Sequence, residues 1–244
     1  MTFPVVFDLG FARIAAHPVF ELAAYALGFQ LLLLQRRKRG DVVTGGQRLR
    51  IVAAAILGAA LGSKLLHHLN HPSALVARWQ DPVFLLGGKT IVGGLLGGLV
   101  AVEWMKRRVG VTTRTGDMFV WPLCLGIAIG RIGCFLTGVH DDTHGSPTSL
   151  FLGMDAGDGI ARHPAPLYEI GFLGALALWL KSRAQPEAPD GRLFQHFMLG
   201  YLGFRVAADF LKPGERWLAL TAIQWAALGG SLYYAGLLRR TAHA

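Results

Sequence analysis

Three short stretches hold the residues whose types and spacing could do chemistry. GRIGCFLTGVHDDTHG (130–145) places Arg131 near the end of an apolar run, then opens into His140, Asp141, Asp142 and His144. RHPAPLYE (162–169) holds His163, Tyr168 and Glu169. GYLGFRVAADFLKP (200–213) sets Tyr201, Arg205 and Asp209 four residues apart, which makes one stripe on a helix face. An arginine at the centre of a bilayer costs roughly 2.5–3.5 kcal/mol on insertion scales. Near a helix end it can snorkel to the interface at lower cost. A guanidinium presents a planar fork of donors that matches phosphate. A bilayer offers phosphate at one level, the headgroups, so Arg131 and Arg205 together point to a phospholipid headgroup site. Arg205 and Asp209 could also simply neutralise each other.

The flanking residues carry two readings each. His163 is a candidate base, because imidazole titrates near neutral pH. Pro164 and Pro166 set an extended approach and then a helix start. Tyr168 and Glu169 fall in that first turn and are candidate substrate-binding residues, although a carboxylate there also favours the helix dipole and a tyrosine anchors at an interface. Cys134 shares a helix face with Arg131 and could be a nucleophile, although packing as a small apolar residue is the preferred reading. Cys124 and Cys134 are about 15 Å apart along one helix, beyond disulfide reach. HHLNH (67–71) and the 140–144 cluster could bind a metal, but polar residues at an interface explain them more simply. No resident metal and no cofactor are expected.

These groups need a scaffold, and composition defines it. The chain has 244 residues, 52% hydrophobic and only 16% charged, with mean hydropathy +0.42. Soluble domains carry about a quarter charged residues. Seven apolar segments of spanning length recur, at about 17–35, 50–67, 90–105, 117–137, 166–182, 193–211 and 217–238. The expected fold is an all-α polytopic bundle of about seven transmembrane helices, forming one domain over 1–244. The first apolar segment is expected to be a retained span.

Charge sets the orientation. The net charge is +9, but the basic residues sit in short clusters between apolar runs rather than on one polar face. That distribution argues against nucleic acid and for a bilayer partner. RRKR (36–39), Arg48 and Arg50, then Lys106–Arg108 and Arg114, then Lys181, Arg183 and Arg192, then Arg239 and Arg240 all fall on one side of a seven-span chain. The N-terminus is therefore expected outside and the C-terminus in the cytoplasm. The segments 68–89, 138–165 and 212–216 become outer loops, with 138–165 the largest. DDTHGSP and MDAGDG read as turns, SLFLGM as an interfacial stretch, and AQPEAPDG (184–191) as an inner linker. Glycines four apart, Gly58/Gly62, Gly94/Gly98 and Gly126/Gly130, are expected to pack helices closely.

HPVFELAAYALGF, GGKTIVGGLLGG, GRIGCF, RHPAPLYE and GYLGFRVAADF, in that order, resemble the prolipoprotein diacylglyceryl transferase family of bacterial inner membranes. The resemblance spans most of the chain. It implies transfer of a diacylglyceryl group from phosphatidylglycerol to the lipobox cysteine of a preprolipoprotein signal peptide, with release of glycerol phosphate. It also implies a seven-span, N-outside fold and an outward site in the cytoplasmic (inner) membrane. By resemblance Arg131 and Arg205 bind or polarise the phosphate, with Tyr201 beside them. Asp209 stands where the family has Glu, and Gly133 and His163 also match. Cys134, Thr137 and Val139 replace polar family residues, Val92 replaces a histidine, and Phe20 replaces a tyrosine. His140 could supply the base that Val92 lacks. A non-catalytic phospholipid-binding relative, or a transferase with another acceptor, stays open as an alternative.

Overall fold

The computed structural model describes residues 3–40, 43–141, 143–184 and 191–242. Asp142 of the polar cluster and most of the 184–191 linker lie outside them. In chain order the elements are β1 (Val6–Asp8), β2 (Arg13–Ala15), α1 (Ala16–Arg39), α2 (Gly45–Asn70), α3 (Pro72–Arg78), α4 (Pro82–Leu86), α5 (Ile91–Val109), α6 (Val120–Thr137), β3 (Met154–Asp155), β4 (Ala161–Arg162), α7 (Ala165–Arg183), α8 (Arg192–Ala208) and α9 (Ala222–Ala242). Seven of the described helices have 17 residues or more.

Local chemistry sets many of the boundaries. The Thr44 N–H donates to Gln47 Oε1 at the start of α2. Asp81 caps α4 by accepting from Val83 N and Phe84 N, with proline at the first helical position. α5 stops at Gly110, whose φ of 73° is left-handed.

The fold is mostly helical but not purely α. Two antiparallel hairpins interrupt it, Val6–Asp8 with Arg13–Ala15 and Met154–Asp155 with Ala161–Arg162. Both correct the all-α expectation, and both arise from Asp–Gly turn chemistry. Asp8 Oδ1 accepts from Gly10 N in the first. Asp155 Oδ1 accepts from the N–H groups of Gly157, Asp158 and Gly159 in the second. Strands this short carry too little periodicity to be read from sequence.

Three described helical segments are long and apolar enough to cross a membrane: Ala16–Lys38, Gly45–Asn70 and Gly116–His140. Their outer faces stay apolar, with Leu57, Leu61 and Leu65 on α2 all exposed. A row of exposed leucines on one helix suits a lipid solvent.

The chain divides into two compact units. The first holds both hairpins, α1, α6, α7, the first part of α8 and residues 210–213. In it α6 packs against α1 and α7. A side chain at Gly133 would meet His17 Cα and carbonyl oxygen at 3.2 Å, so glycine lets α6 lie close to α1.

The second unit holds α2 to α5, residues 202–209 and α9. Its main contact is α2 on α5, where Gly58 and Gly62 face Gly93 and Gly97. A Cβ at Gly62 would sit 2.4 Å from the Gly93 carbonyl oxygen. The expected pair Gly94/Gly98 lies one position off this face, where an added Cβ would meet no other segment nearer than 3.4 Å, and a Cβ at Gly130 would meet none within 4 Å.

Candidate functional site

In the first unit α6 carries Arg131 and α7 carries Glu169. Arg131 Nε lies 2.9 Å from Glu169 Oε2, and the two side chains are 5% and 1% exposed. The other carboxylate oxygen accepts a 2.6 Å hydrogen bond from the Tyr201 hydroxyl on α8. A buried carboxylate needs both a cation and hydrogen bonds to offset its lost hydration, and Glu169 has one of each. Sequence reasoning gave Glu169 to the helix dipole or to substrate binding. It missed the ion pair because α6 and α7 lie far apart in the chain.

Tyr201 is fully buried, and its ring stacks on Phe197 at 5.9 Å. Arg131 Nη1 also reaches Cys134 Sγ at 3.5 Å. Cys134 is thus half-buried beside a guanidinium, not enclosed by apolar packing alone.

His163 and Tyr168 come together at the start of α7, with Nδ1 3.3 Å from the phenol oxygen. The segment is held by the His163 N–H, which donates to the Ser146 carbonyl. Gly145 makes this approach feasible, since a Cβ there would lie 2.2 Å from the His163 carbonyl oxygen. A cavity of about 20 Å³, room for one water, is lined by Cys134, Gly138, His144, Arg162, His163 and Pro164, among others. Arg162 is tied to Asp158 at 2.6 Å, and the Arg162 guanidinium holds the exposed Asp158 carboxyl below its ordinary value.

His140 is exposed on the turn after α6. No hydrogen bond or ion pair joins its ring to Arg131 among the described residues. Its neighbour Asp141 turns back instead. Asp141 Oδ2 lies 3.3 Å from His17 Nδ1 at the start of α1. His17, Cys134 and Asp141 bring their ligand atoms within 4.8 Å of one another. Sequence reasoning did not pair His17 with this cluster, because nothing in the spacing links the two ends of the unit.

In the second unit Arg205 Nη2 donates to Asp209 Oδ1 at 2.5 Å, with both side chains 5% exposed. Thr221 Oγ1 donates to Asp209 Oδ2 at 3.3 Å. Gln224 Oε1 accepts from Thr221 N, and Gln224 Nε2 donates to the Val206 carbonyl. Thr221 and Gln224 carried no sequence signal, being common residues before an apolar run.

The HHLNH stretch does not gather ligands. His71 Nδ1 meets the last turn of α2 at the His67 carbonyl, and His68 Nε2 meets Leu85 O. The His67 ring fills the space beside Gly88, where a Cβ would clash at 2.0 Å.

Long apolar helices that bury ion pairs of this kind define a polytopic helical membrane protein with polar sites inside it. Over residues 4–239 the chain matches the prolipoprotein diacylglyceryl transferase family, and it belongs to that family of transferases. It is similar to the phosphatidylglycerol–prolipoprotein diacylglyceryl transferase of Bordetella bronchiseptica, at 32% identity over 89% of this chain and 88% of the relative. The same enzyme of Nitrosomonas europaea is 32% identical over 84% and 78% of the two chains. That of Nitratidesulfovibrio vulgaris is 30% identical over 93% and 87%.

Proposed function

We propose that the chain moves the diacylglyceryl group of phosphatidylglycerol to the lipobox cysteine thiol of preprolipoproteins and releases glycerol phosphate. The observation that carries this reading is the buried network of Arg131, Glu169 and Tyr201 in a member of that family. The seven long helices are seven spans of one domain, with the N-terminus outside, in a bacterial inner membrane. The 138–165 segment faces outward and meets the incoming precursor.

The thiol sulfur attacks the glyceryl carbon that bears the phosphate oxygen. The carbon–oxygen bond breaks, and the electron pair leaves with glycerol phosphate. Charge therefore grows on phosphate oxygen, and Arg131 and Arg205 stabilise it. Donors aimed at developing charge are worth about 10²–10³ in rate each. Glu169 and Asp209 hold the two guanidiniums in fixed orientation, so little reorganisation accompanies the step. Tyr201 fixes the Glu169 carboxylate. Gly133 lets α6 approach α1, and Tyr168 orients His163. His140 or His163 removes the thiol proton.

The test is transfer by the purified protein in phosphatidylglycerol vesicles, with a lipobox-bearing peptide as acceptor and mass spectrometry as readout. The peptide should gain one diacylglyceryl group, and none in phosphatidylcholine vesicles. An unmodified peptide beside a folded protein would contradict the reading.

A further inference from the structure

We propose that His17, Cys134 and Asp141 form a three-ligand site for a zinc-class cation whose fourth position takes the substrate thiol. The inference rests on the transfer reaction proposed above and deepens it.

The donor set comes first. An imidazole nitrogen, a sulfur and a carboxylate oxygen converge within 4.8 Å of one another. These are the three atom types that bind zinc. The His17 Nδ1 to Asp141 Oδ2 separation is 3.3 Å. A tetrahedral ion with bonds of about 2.0–2.1 Å to nitrogen and oxygen separates those atoms by about 3.3 Å. The sulfur must move inward, by a turn of the Cys134 side chain away from Arg131.

Three protein ligands with an open position are the mark of a catalytic zinc site, whereas structural sites close with four. The buried Thr143 hydroxyl lies against the Cys134 thiol, beside the donor set. The His17 and Asp141 side chains are 33% and 13% exposed, so the cluster is reachable. Arg131 Nη1 lies 3.5 Å from Cys134 Sγ, which joins the cluster to the guanidinium proposed to hold the phosphate.

The chemistry follows from the reaction. The acceptor is a thiol with an ordinary pKa near 8.5. At pH 7 about 3% of it is thiolate on that value. A thiol that coordinates a divalent cation is deprotonated outright, and its proton passes to the histidine base of the proposed reaction, His140 or His163. The bound thiolate attacks the glyceryl carbon, and the carbon–oxygen bond to phosphate breaks. Glycerol phosphate leaves with the electron pair. The product thioether is neutral and a poorer ligand, so it departs and reopens the fourth position. Thiolate population alone accounts for up to about a thirtyfold gain at pH 7.

Cobalt(II) serves as a visible probe for the purified full chain in detergent. One equivalent should give a thiolate charge-transfer absorption. Cys124→Ser should keep that absorption, while Cys134→Ser and His17→Ala should lose it with thermal unfolding unchanged. Adding a lipobox peptide should strengthen the band as a second sulfur binds. Removing divalent cations should slow transfer about ten- to thirtyfold at pH 7, and zinc should restore it. An absent band, or one that survives Cys134→Ser, overturns the site. A band indifferent to the peptide, or full transfer without divalent cations, overturns thiol activation and leaves the transferase reading intact. A cobalt–thiolate band without transfer under either condition overturns the thiol step together with the reaction it serves.

Discussion

Arg131 and Glu169 meet through a 2.9 Å contact between Nε and Oε2, with neither side chain more than 5% exposed. A pair this deep in an apolar protein is costly to assemble and more costly to break. Removing one partner strands the other as an uncompensated charge, which destabilises by about 3–5 kcal/mol.

Glu169→Gln should therefore lower the unfolding temperature in detergent far more than Tyr201→Phe. The phenylalanine variant loses one hydrogen bond to a charged group, worth about 1.5–3 kcal/mol. Equal shifts for the two variants would mean that Glu169 does not neutralise Arg131.

The same logic separates two glycines on adjacent positions of α5. Gly93→Ala places a methyl 2.3 Å from the Gly62 carbonyl oxygen and should disrupt the α2–α5 contact. Gly94→Ala meets nothing nearer than 3.7 Å and should be tolerated. Detergent thermal unfolding of the two variants reads the difference, expected at more than about 1 kcal/mol. A comparable loss for both would contradict the packing face described.

Asp158 gives a pH prediction. Its folded pKa is depressed, chiefly by the hydrogen bond from Arg162. The stabilisation is present above the unfolded value, about 3.9, and is lost as pH falls through the lower folded value. Amide exchange in the 154–162 hairpin should thus quicken as pH drops below about 4, beyond the intrinsic trend. Asp158→Asn should quicken it already at neutral pH and flatten the dependence.

Asp209→Asn tests the second ion pair. It keeps the hydrogen bond from Arg205 but removes the counter-charge and leaves a buried cation. Transfer should fall more than tenfold, and the unfolding temperature should drop. An unaltered rate would remove Asp209 from the account.

Much of the architecture is legible in the sequence because lipid imposes a length on apolar runs. The segment expected at 166–182 is the helix Ala165–Arg183, its start marked by Pro164 and Pro166. The segment expected at 193–211 is the helix Arg192–Ala208 followed by a 3₁₀ turn at Asp209–Leu211. The stripe of Tyr201, Arg205 and Asp209 was visible through helical spacing, and so was the Arg205–Asp209 pairing. What spacing cannot show is contact between distant segments. Glu169 finds Arg131, and His17 finds Asp141, only when α1, α6 and α7 pack. The choice of Gly93 and Gly97 over Gly94 and Gly98 is a rotation of one residue about a helix axis. Periodicity in a GG-rich segment leaves that rotation undetermined.

The central claim is that Arg131 and Arg205 act on the phosphate of phosphatidylglycerol. The most direct measurement is the transfer rate of Arg131→Lys, Arg205→Lys and the double variant in phosphatidylglycerol vesicles, each first shown to be folded and inserted. Lysine keeps the charge but loses the planar fork. Each single variant should lose about 10²–10³ in rate, and the double variant should lose less than the product of the two. A folded single variant that transfers at the wild-type rate would contradict the claim.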